Sequence, residues 1–144
     1  MARDTPQHNS LAELAFPYLG GRAQAMMGAT HVPVDLRYRV AVEAVWCVTQ
    51  LDGLVVVTLN NKTCTRDKHV YGKVPKWAAK LRTFGKAGVV KEGKDRKMGD
   101  CGQDMMFVGY AVDRESNCVC MYNPETNHVV QTCDVIWMKQ MYYE

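Results

Sequence analysis

The change of pattern that decides the fold lies in residues 33–59, PVDLRYRVAVEAVWCVTQLDGLVVVTL. Up to position 51, apolar side chains recur every three or four residues, as on the buried face of an amphipathic helix. These side chains are Leu36, Val40, Ala44, Cys47, Val48 and Leu51. Pro33 suits a first helical turn and Gly53 suits the position after a helix end. Residues 54–59 are rich in β-branched side chains, which is typical of a strand, so the stretch predicts an α+β protein.

A second helical pattern lies upstream of this stretch. Residues 10–29 repeat apolar side chains at helical spacing, and Ser10 with Glu13 has the sequence of a capping box. Pro17 and the adjacent pair of glycines at 20 and 21 weaken this helix, because proline removes a backbone donor and glycine is a poor helix former. Residues 30–32 are a connection short enough to join packed neighbours. We therefore expect a pair of helices in the N-terminal part of the chain.

Short strand patterns, separated by turn residues, follow the change of period. Asn60 and Asn61 predict a tight turn that returns residues 62–65 as a partner strand. Further strands are predicted over residues 83–91, 105–112, 118–122 and 128–133. One or two helical turns are expected after Pro75, and residues 92–104 have the polar, glycine-rich composition of a long exposed loop. Several short strands at this spacing predict a small β-barrel.

The composition limits the class of protein. Of the 144 residues, 47% are hydrophobic and 23% are charged, an ordinary globular mixture that excludes a wholly disordered chain. No apolar run approaches the roughly 18 residues of a membrane span, and the first residues have no apolar signal region. We therefore expect an intracellular protein, nuclear or cytoplasmic, that is not secreted and has no membrane partner.

The cysteines are expected to be thiols, because an intracellular compartment is reducing. The chain has six of them. Cys118 and Cys120 are separated by one residue, whereas zinc sites usually place two or more residues between paired ligands. The sequence therefore predicts no metal site and no other cofactor.

The charges are segregated along the chain. Residues 1–60 carry a net charge of −1, residues 61–100 a net charge of +8, and residues 101–144 a net charge of −4. Clustered positive charge attracts phosphate without reading base sequence. The middle third is therefore a candidate surface for weak, sequence-tolerant DNA binding, with a Kd of roughly 10⁻⁴ to 10⁻⁶ M at physiological salt. The alternative for these cations is an ordinary solvated face.

The candidate nucleic-acid-binding residues are Lys73, Lys76, Trp77, Lys80, Arg82, Lys86, Lys91, Lys94, Arg96 and Lys97. Trp77 is included because it lies among lysines and could stack on a base. If residues 73–81 are helical, Lys76 and Lys80 share one face with Lys73, which lies at or just before the helix start. The alternative for Trp77, as for Trp46 and Trp137, is a place in the core or at the junction of the two halves of the chain.

Five blocks of sequence, in order along residues 5–143, together resemble the Pol polyprotein of copia-type long-terminal-repeat retrotransposons. The first block, TPQHNSLAE, is similar to the segment around the third catalytic carboxylate of the integrase, with the family pattern Thr-Pro-Gln-x-Asn-Gly-x-Ala-Glu. The other blocks are LRTFG at 81–85, FVGY at 107–110, YNPETN at 122–127 and TCDVIW at 132–137.

This resemblance implies three regions. Residues 1–53 would be the C-terminal helices of an RNase H-like integrase core, and residues 54–80 a linking hairpin and short helix. Residues 81–144 would be the SH3-like β-barrel domain that follows the core in the Pol polyprotein. The fold class expected is thus a helical pair followed by a small barrel.

The resemblance also implies a role for Glu13 as the third of three carboxylates that hold two Mg²⁺ ions in a complete integrase core. The two aspartates that would complete the set belong to strands upstream of this chain, so Glu13 would be a vestigial ligand. Its alternative role is that of a capping-box partner for Ser10. We therefore expect the chain to lack catalytic activity on its own and to hold no Mg²⁺.

The first functional hypothesis is a fragment of a retrotransposon integrase involved in DNA integration, contributing nucleic-acid binding and assembly rather than complete catalysis. Self-association through the apolar faces of the N-terminal helices belongs to this hypothesis. The alternatives are a host-recruited SH3-like module that binds a protein, and a non-functional transposon relic. Salt dependence of duplex DNA binding distinguishes the first two, because phosphate contacts weaken steeply with salt.

Overall fold

A computed structural model describes residues 10–91 and 102–144. Within them a helical part is followed by an antiparallel sheet, which confirms the α+β class. The helices are α1 (Ser10–Ala29), α2 (Arg37–Asp52) and α3 (Arg66–Tyr71), with 3₁₀ turns at Val34–Leu36 and Lys76–Lys80. The strands are β1 (Val56–Leu59), β2 (Lys62–Thr65), β3 (Lys86–Lys91), β4 (Gly102–Tyr110), β5 (Val119–Asn123), β6 (His128–Thr132) and β7 (Val135–Met141). The prediction of a loop over residues 92–104 is wrong for residues 102–104, which begin β4. Residues 92–101 lie outside the described residues.

The helical pair forms as the sequence predicts. α1 continues through Pro17, and α2 buries the predicted face formed by Val40, Ala44, Cys47 and Val48. The two helices pack against each other. None of the helices within residues 10–91 and 102–144 combines the length and the apolar character that a membrane crossing requires.

The main sheet has the strand order β6-β5-β4-β3-β7, with every neighbouring pair antiparallel. β6 and β7 therefore run in the same direction, although only two residues separate them. In a flat sheet four strand spacings would set these edges about 19 Å apart. The step from Thr132 to Val135 spans at most about 11 Å. The sheet must therefore curl until its two edges meet at the corner formed by Cys133 and Asp134.

The curled sheet is not a closed barrel within the described residues. β6 pairs only with β5, and β7 pairs only with β3, so no ladder joins the two outer strands there. The predicted order of helices followed by an antiparallel sheet is thus confirmed. The predicted closed barrel is not found within the described residues.

The central strand β4 is buried on both faces. Met106 and Val108 belong to a core cluster with α1 and α2, whereas Met105 and Phe107 belong to a second cluster on the opposite face of the sheet. A bulge between Phe107 and Gly109 shifts the alternation, so Tyr110 lies in the same cluster as Phe107. The helices and the sheet therefore share a core across the boundaries predicted at residues 53 and 80.

The cysteines only partly match the prediction of six thiols. Cys118 and Cys133 are joined by a disulfide, next to the pair of Val119 and Thr132 in the ladder between β5 and β6. The prediction is therefore wrong for this pair. Cys47 and Cys120 are buried free thiols, and burial raises the pKa of Cys47 to about 12, which makes this thiol a poor nucleophile at neutral pH.

Candidate functional site

A cleft of about 570 Å³ opens between the helical part and the sheet. Its walls come from the outer side of α2, from the segment that includes α3 and the second 3₁₀ turn, and from the connection between β4 and β5. The volume lies within the range of natural small-ligand pockets. The aromatic and positively charged side chains that line it are Trp46, Tyr71, Lys73, Lys76, Trp77 and Arg114.

One buried amide holds α2 against β4 at this cleft. The Gln50 side chain donates from Nε2 to the Tyr110 carbonyl at 2.9 Å, and its Oε1 accepts from the Tyr110 N–H at 3.1 Å. A Cβ at Gly109 would lie only 3.2 Å from this Oε1, so the glycine permits the close approach of the helix. The amide thus satisfies both backbone groups of Tyr110 and fixes the wall that carries Trp46.

Trp77 forms the inner wall of the cleft. It is only 7% exposed, and its ring stacks on Tyr110 with centroids 4.4 Å apart and planes 14° from parallel. The Tyr110 hydroxyl in turn accepts a hydrogen bond from the Arg82 N–H at 2.8 Å. Base stacking on Trp77 does not fit this position, because one ring face is already covered and the side chain is buried. Trp77 instead has the core role that was its alternative.

Two other aromatic side chains of the cleft are accessible. Trp46 is 50% exposed and Tyr71 is 71% exposed. Trp46 lies at the junction of the helical part and the sheet, one of the two places expected for it, but sequence reasoning did not single it out as accessible. The sequence did indicate this exposure. The buried face of α2 is formed by apolar residues spaced three or four apart, which end at Cys47, Val48 and Leu51, and Trp46 does not belong to this set.

We call residues 61–100, which carry the net charge of +8, the basic segment. Some of its cations line the cleft, and others contact the sheet or the connection between β4 and β5. Lys73 and Lys76 are exposed and line the cleft. Lys80 donates a hydrogen bond to Asn117, and the Arg82 guanidinium lies 4.1 Å from the centre of the Trp137 ring. The expected shared face of Lys76 and Lys80 does not form, because side chains four residues apart in a 3₁₀ helix diverge by about 120°.

The remaining predicted cations are less informative. Lys86 begins β3 and is half-buried, and Lys91 ends it and is exposed. Lys94, Arg96 and Lys97 lie outside the described residues.

Arg114 adds a third cation to the cleft. It was missed because it belongs to the acidic last third of the chain, and only the fold brings the connection between β4 and β5 beside the basic segment. The carboxylates of Asp67 and Glu115 also line the cleft, so its charged residues comprise three cations and two anions.

Glu13 stands apart from this cleft. It lies exposed in the first turn of α1. Within residues 10–91 and 102–144, no three His, Cys, Asp or Glu side chains group closely enough to hold a metal ion. A two-Mg²⁺ site needs several carboxylates, so Glu13 alone does not fit one, and we derive no metal-assisted step from it.

No family model, curated protein or solved structure matches the chain.

Proposed function

We propose that this chain is the DNA-binding and assembly part of a copia-type integrase, rather than a complete catalyst, and that it binds DNA weakly and without sequence preference. The observation that carries the proposal is the convergence of Lys73, Lys76 and Arg114 on one open cleft, within and beside a segment of net charge +8. Flexible exposed cations raise the local positive potential and hold phosphate oxygens as point charges.

The strand arrangement supports the SH3-like part of the proposal. The resemblance assigns an SH3-like barrel to residues 81–144, a small curled sheet. β3 to β7 lie within this range and form one five-stranded sheet, in which the last strand returns beside the first. The curl that brings its edges together at one corner is the shape from which such a barrel is built.

Phosphate contacts explain why the binding is proposed to be weak and sequence-tolerant. Lys73 and Lys76 are exposed and, within the described residues, have no salt-bridge partner. They are therefore available to phosphate, which carries no information about base sequence. We expect a Kd of roughly 10⁻⁴ to 10⁻⁶ M for duplex DNA at physiological salt.

The test measures duplex binding by fluorescence anisotropy over a series of salt concentrations. The Lys73→Gln/Lys76→Gln variant should bind all duplex sequences more weakly, with a log–log salt slope shallower by about two units. The matched control is Lys62→Gln/Lys139→Gln, which removes the same charge from exposed positions on β2 and β7. The proposal fails if the cleft variant binds as well as the parent, or if the control loses as much affinity.

We also propose that the chain alone neither cuts nor joins DNA. A single candidate carboxylate, Glu13, is too few to place two metal ions about 4 Å apart. Mg²⁺- or Mn²⁺-dependent cleavage of DNA by the pure protein, abolished by Glu13→Gln, would overturn this statement.

A further inference from the structure

The cleft combines accessible aromatic rings with cations in a way that phosphate binding alone does not require. Trp46 and Tyr71 are both exposed and line the same cleft as Lys73, Lys76 and Arg114. A lysine cluster needs no aromatic neighbour to attract a duplex. Grooves that hold single-stranded nucleic acid combine the two, because cations track the backbone while rings stack on bases.

The part of α2 that carries Trp46 is anchored at the cleft. One turn along α2 from Trp46, Gln50 is clamped to the backbone of Tyr110. Trp46 Cδ1 lies 4.0 Å from where a Cβ on Gly109 would stand, so this edge of the ring is close to the bulge of β4. A ring on an anchored helix loses little further freedom when a ligand stacks on it, which favours binding.

A paired base does not suit this role. In a duplex each base has both faces covered by its neighbours, so a side-chain ring has no free face to stack on. A cleft of about 570 Å³ is of the size that takes a small ligand. An unpaired base has free faces and can enter it while the flanking phosphates stay at the rim beside the lysines.

We infer that this cleft binds single-stranded nucleic acid by stacking one unpaired base on Trp46, with Lys73, Lys76 and Arg114 on the adjoining phosphates. The inference rests on the proposed DNA binding and names the form of nucleic acid that the cleft prefers. An extended proline-rich peptide is the other occupant that aromatic grooves accept. The cleft has three cations against two carboxylates, and Lys73 and Lys76 belong to a segment of net charge +8, so the charge favours the polyanion over this peptide.

The experiment compares an oligothymidine single strand with a duplex of the same length, using the full chain at matched salt. Affinity is measured by anisotropy, and stacking by quenching of tryptophan fluorescence. The parent should bind the single strand at least about tenfold more tightly than the duplex. Trp46→Ala should lower single-strand affinity about tenfold, remove most of the quenching and leave duplex affinity unchanged, whereas Trp46→Phe should restore part of the loss.

Tyr38→Ala is the matched control, because it removes an exposed aromatic side chain, 70% accessible against 50% for Trp46, from α2 at a position outside the cleft. It should change neither affinity nor quenching. Thermal unfolding of each variant verifies that the fold is kept, and Trp46→Phe keeps the test decisive if Trp46→Ala fails to fold.

The outcomes separate this inference from the proposed function. If the duplex binds with a steep salt slope while the single strand binds no better and Trp46 variants change nothing, the inference is wrong and the proposed function stands. If neither nucleic acid binds, both are wrong. If a proline-rich peptide binds through Trp46 and oligothymidine does not compete with it, the occupant is a peptide and the inference is overturned.

Discussion

The side chain of Gln50 shows how much of the site depends on one residue. It is a buried polar group on α2, and its amide meets both backbone groups of Tyr110. The partner lies 60 residues away in the chain. The apolar face of α2 could be predicted from local spacing, but nothing in the sequence around Gln50 identifies this partner, because the pairing arises only when β4 bulges toward the helix.

Replacing Gln50 by leucine should destabilise the fold strongly. Leucine fills a similar volume but leaves the Tyr110 N–H and carbonyl buried without partners, so we expect the free energy of unfolding to fall by about 2–4 kcal/mol. Urea denaturation measures this loss. Gln140→Leu, at an exposed position of β7, is the control and should change the free energy by less than about 0.5 kcal/mol. A loss at Gln50 no larger than at Gln140 would refute this account of the clamp.

At the scale of the element, local patterns predicted the structure well and long-range pairings escaped prediction. α1, α2 and the hairpin of β1 and β2 follow from helical spacing and a two-asparagine turn, which are properties of neighbouring residues. β7 was not predicted as a strand, because it is stabilised by pairing with β3, whose Val90 is 45 residues before its partner Val135.

α3 was missed because it has only six residues, although Thr65 accepts a hydrogen bond from the Lys68 N–H as a typical N-cap.

The same contrast holds for the candidate site. The basic segment and two of its cleft lysines, Lys73 and Lys76, could be read from charge alone. The covered position of Trp77 could not be predicted in this way, because it depends on a stacking contact with Tyr110, which lies 33 residues later in the chain. The exposure of Trp46 could have been predicted, because this residue lies off the apolar spacing of α2.

α2 also carries a partly buried acid, Glu43, whose titration affects stability. Burial raises the pKa of this carboxyl above its ordinary value of 4.5 in the folded chain. At pH values between the ordinary pKa and the raised pKa, the folded state binds more protons than the unfolded state. The free energy of unfolding therefore falls as the pH rises through this range. Above this range the loss is complete and stability no longer depends on this group.

Glu43→Gln should therefore stabilise the protein at pH 7 and have no effect at pH 3, where the acid is protonated in both states. Thermal unfolding at the two pH values measures the difference, and Glu144→Gln, at an exposed position, should be neutral at both. Destabilisation by Glu43→Gln at pH 7 would contradict the assignment.

At the scale of the whole molecule, the first half of α1 presents apolar surface that the described residues leave uncovered. Leu11 is 83% exposed, and Leu14 and Phe16 are similarly open, whereas the buried residues of this helix, Ala23 and Met27, lie in its second half. Exposed apolar side chains in such a group are typical of an interaction surface. A second copy of the chain, as expected for an assembly module, is the partner that we propose for it.

We therefore expect the mass measured by analytical ultracentrifugation to rise above that of the monomer as the protein concentration increases. Leu11→Glu/Leu14→Glu places two like charges on one face of α1 and should hold the chain monomeric. Val42→Glu, at an exposed position of α2, should associate as the parent does. A parent that is monomeric over the whole concentration range, or a double variant that associates equally, would refute this surface.

The return of β7 to the side of β3 has a consequence for the order of folding. Asn123 pairs with His128 only five residues later, whereas Val90 pairs with Val135 after 45 residues. Closing the ninefold longer loop costs about 2 kcal/mol more in chain entropy, so we expect the hairpin of β5 and β6 to form before β7 joins. Until β7 arrives, β3 has a free hydrogen-bonding edge and the second core cluster lacks Trp137. We therefore expect a chain whose β7 has not yet paired with β3 to be more prone to pair with another chain and aggregate than the complete sheet is.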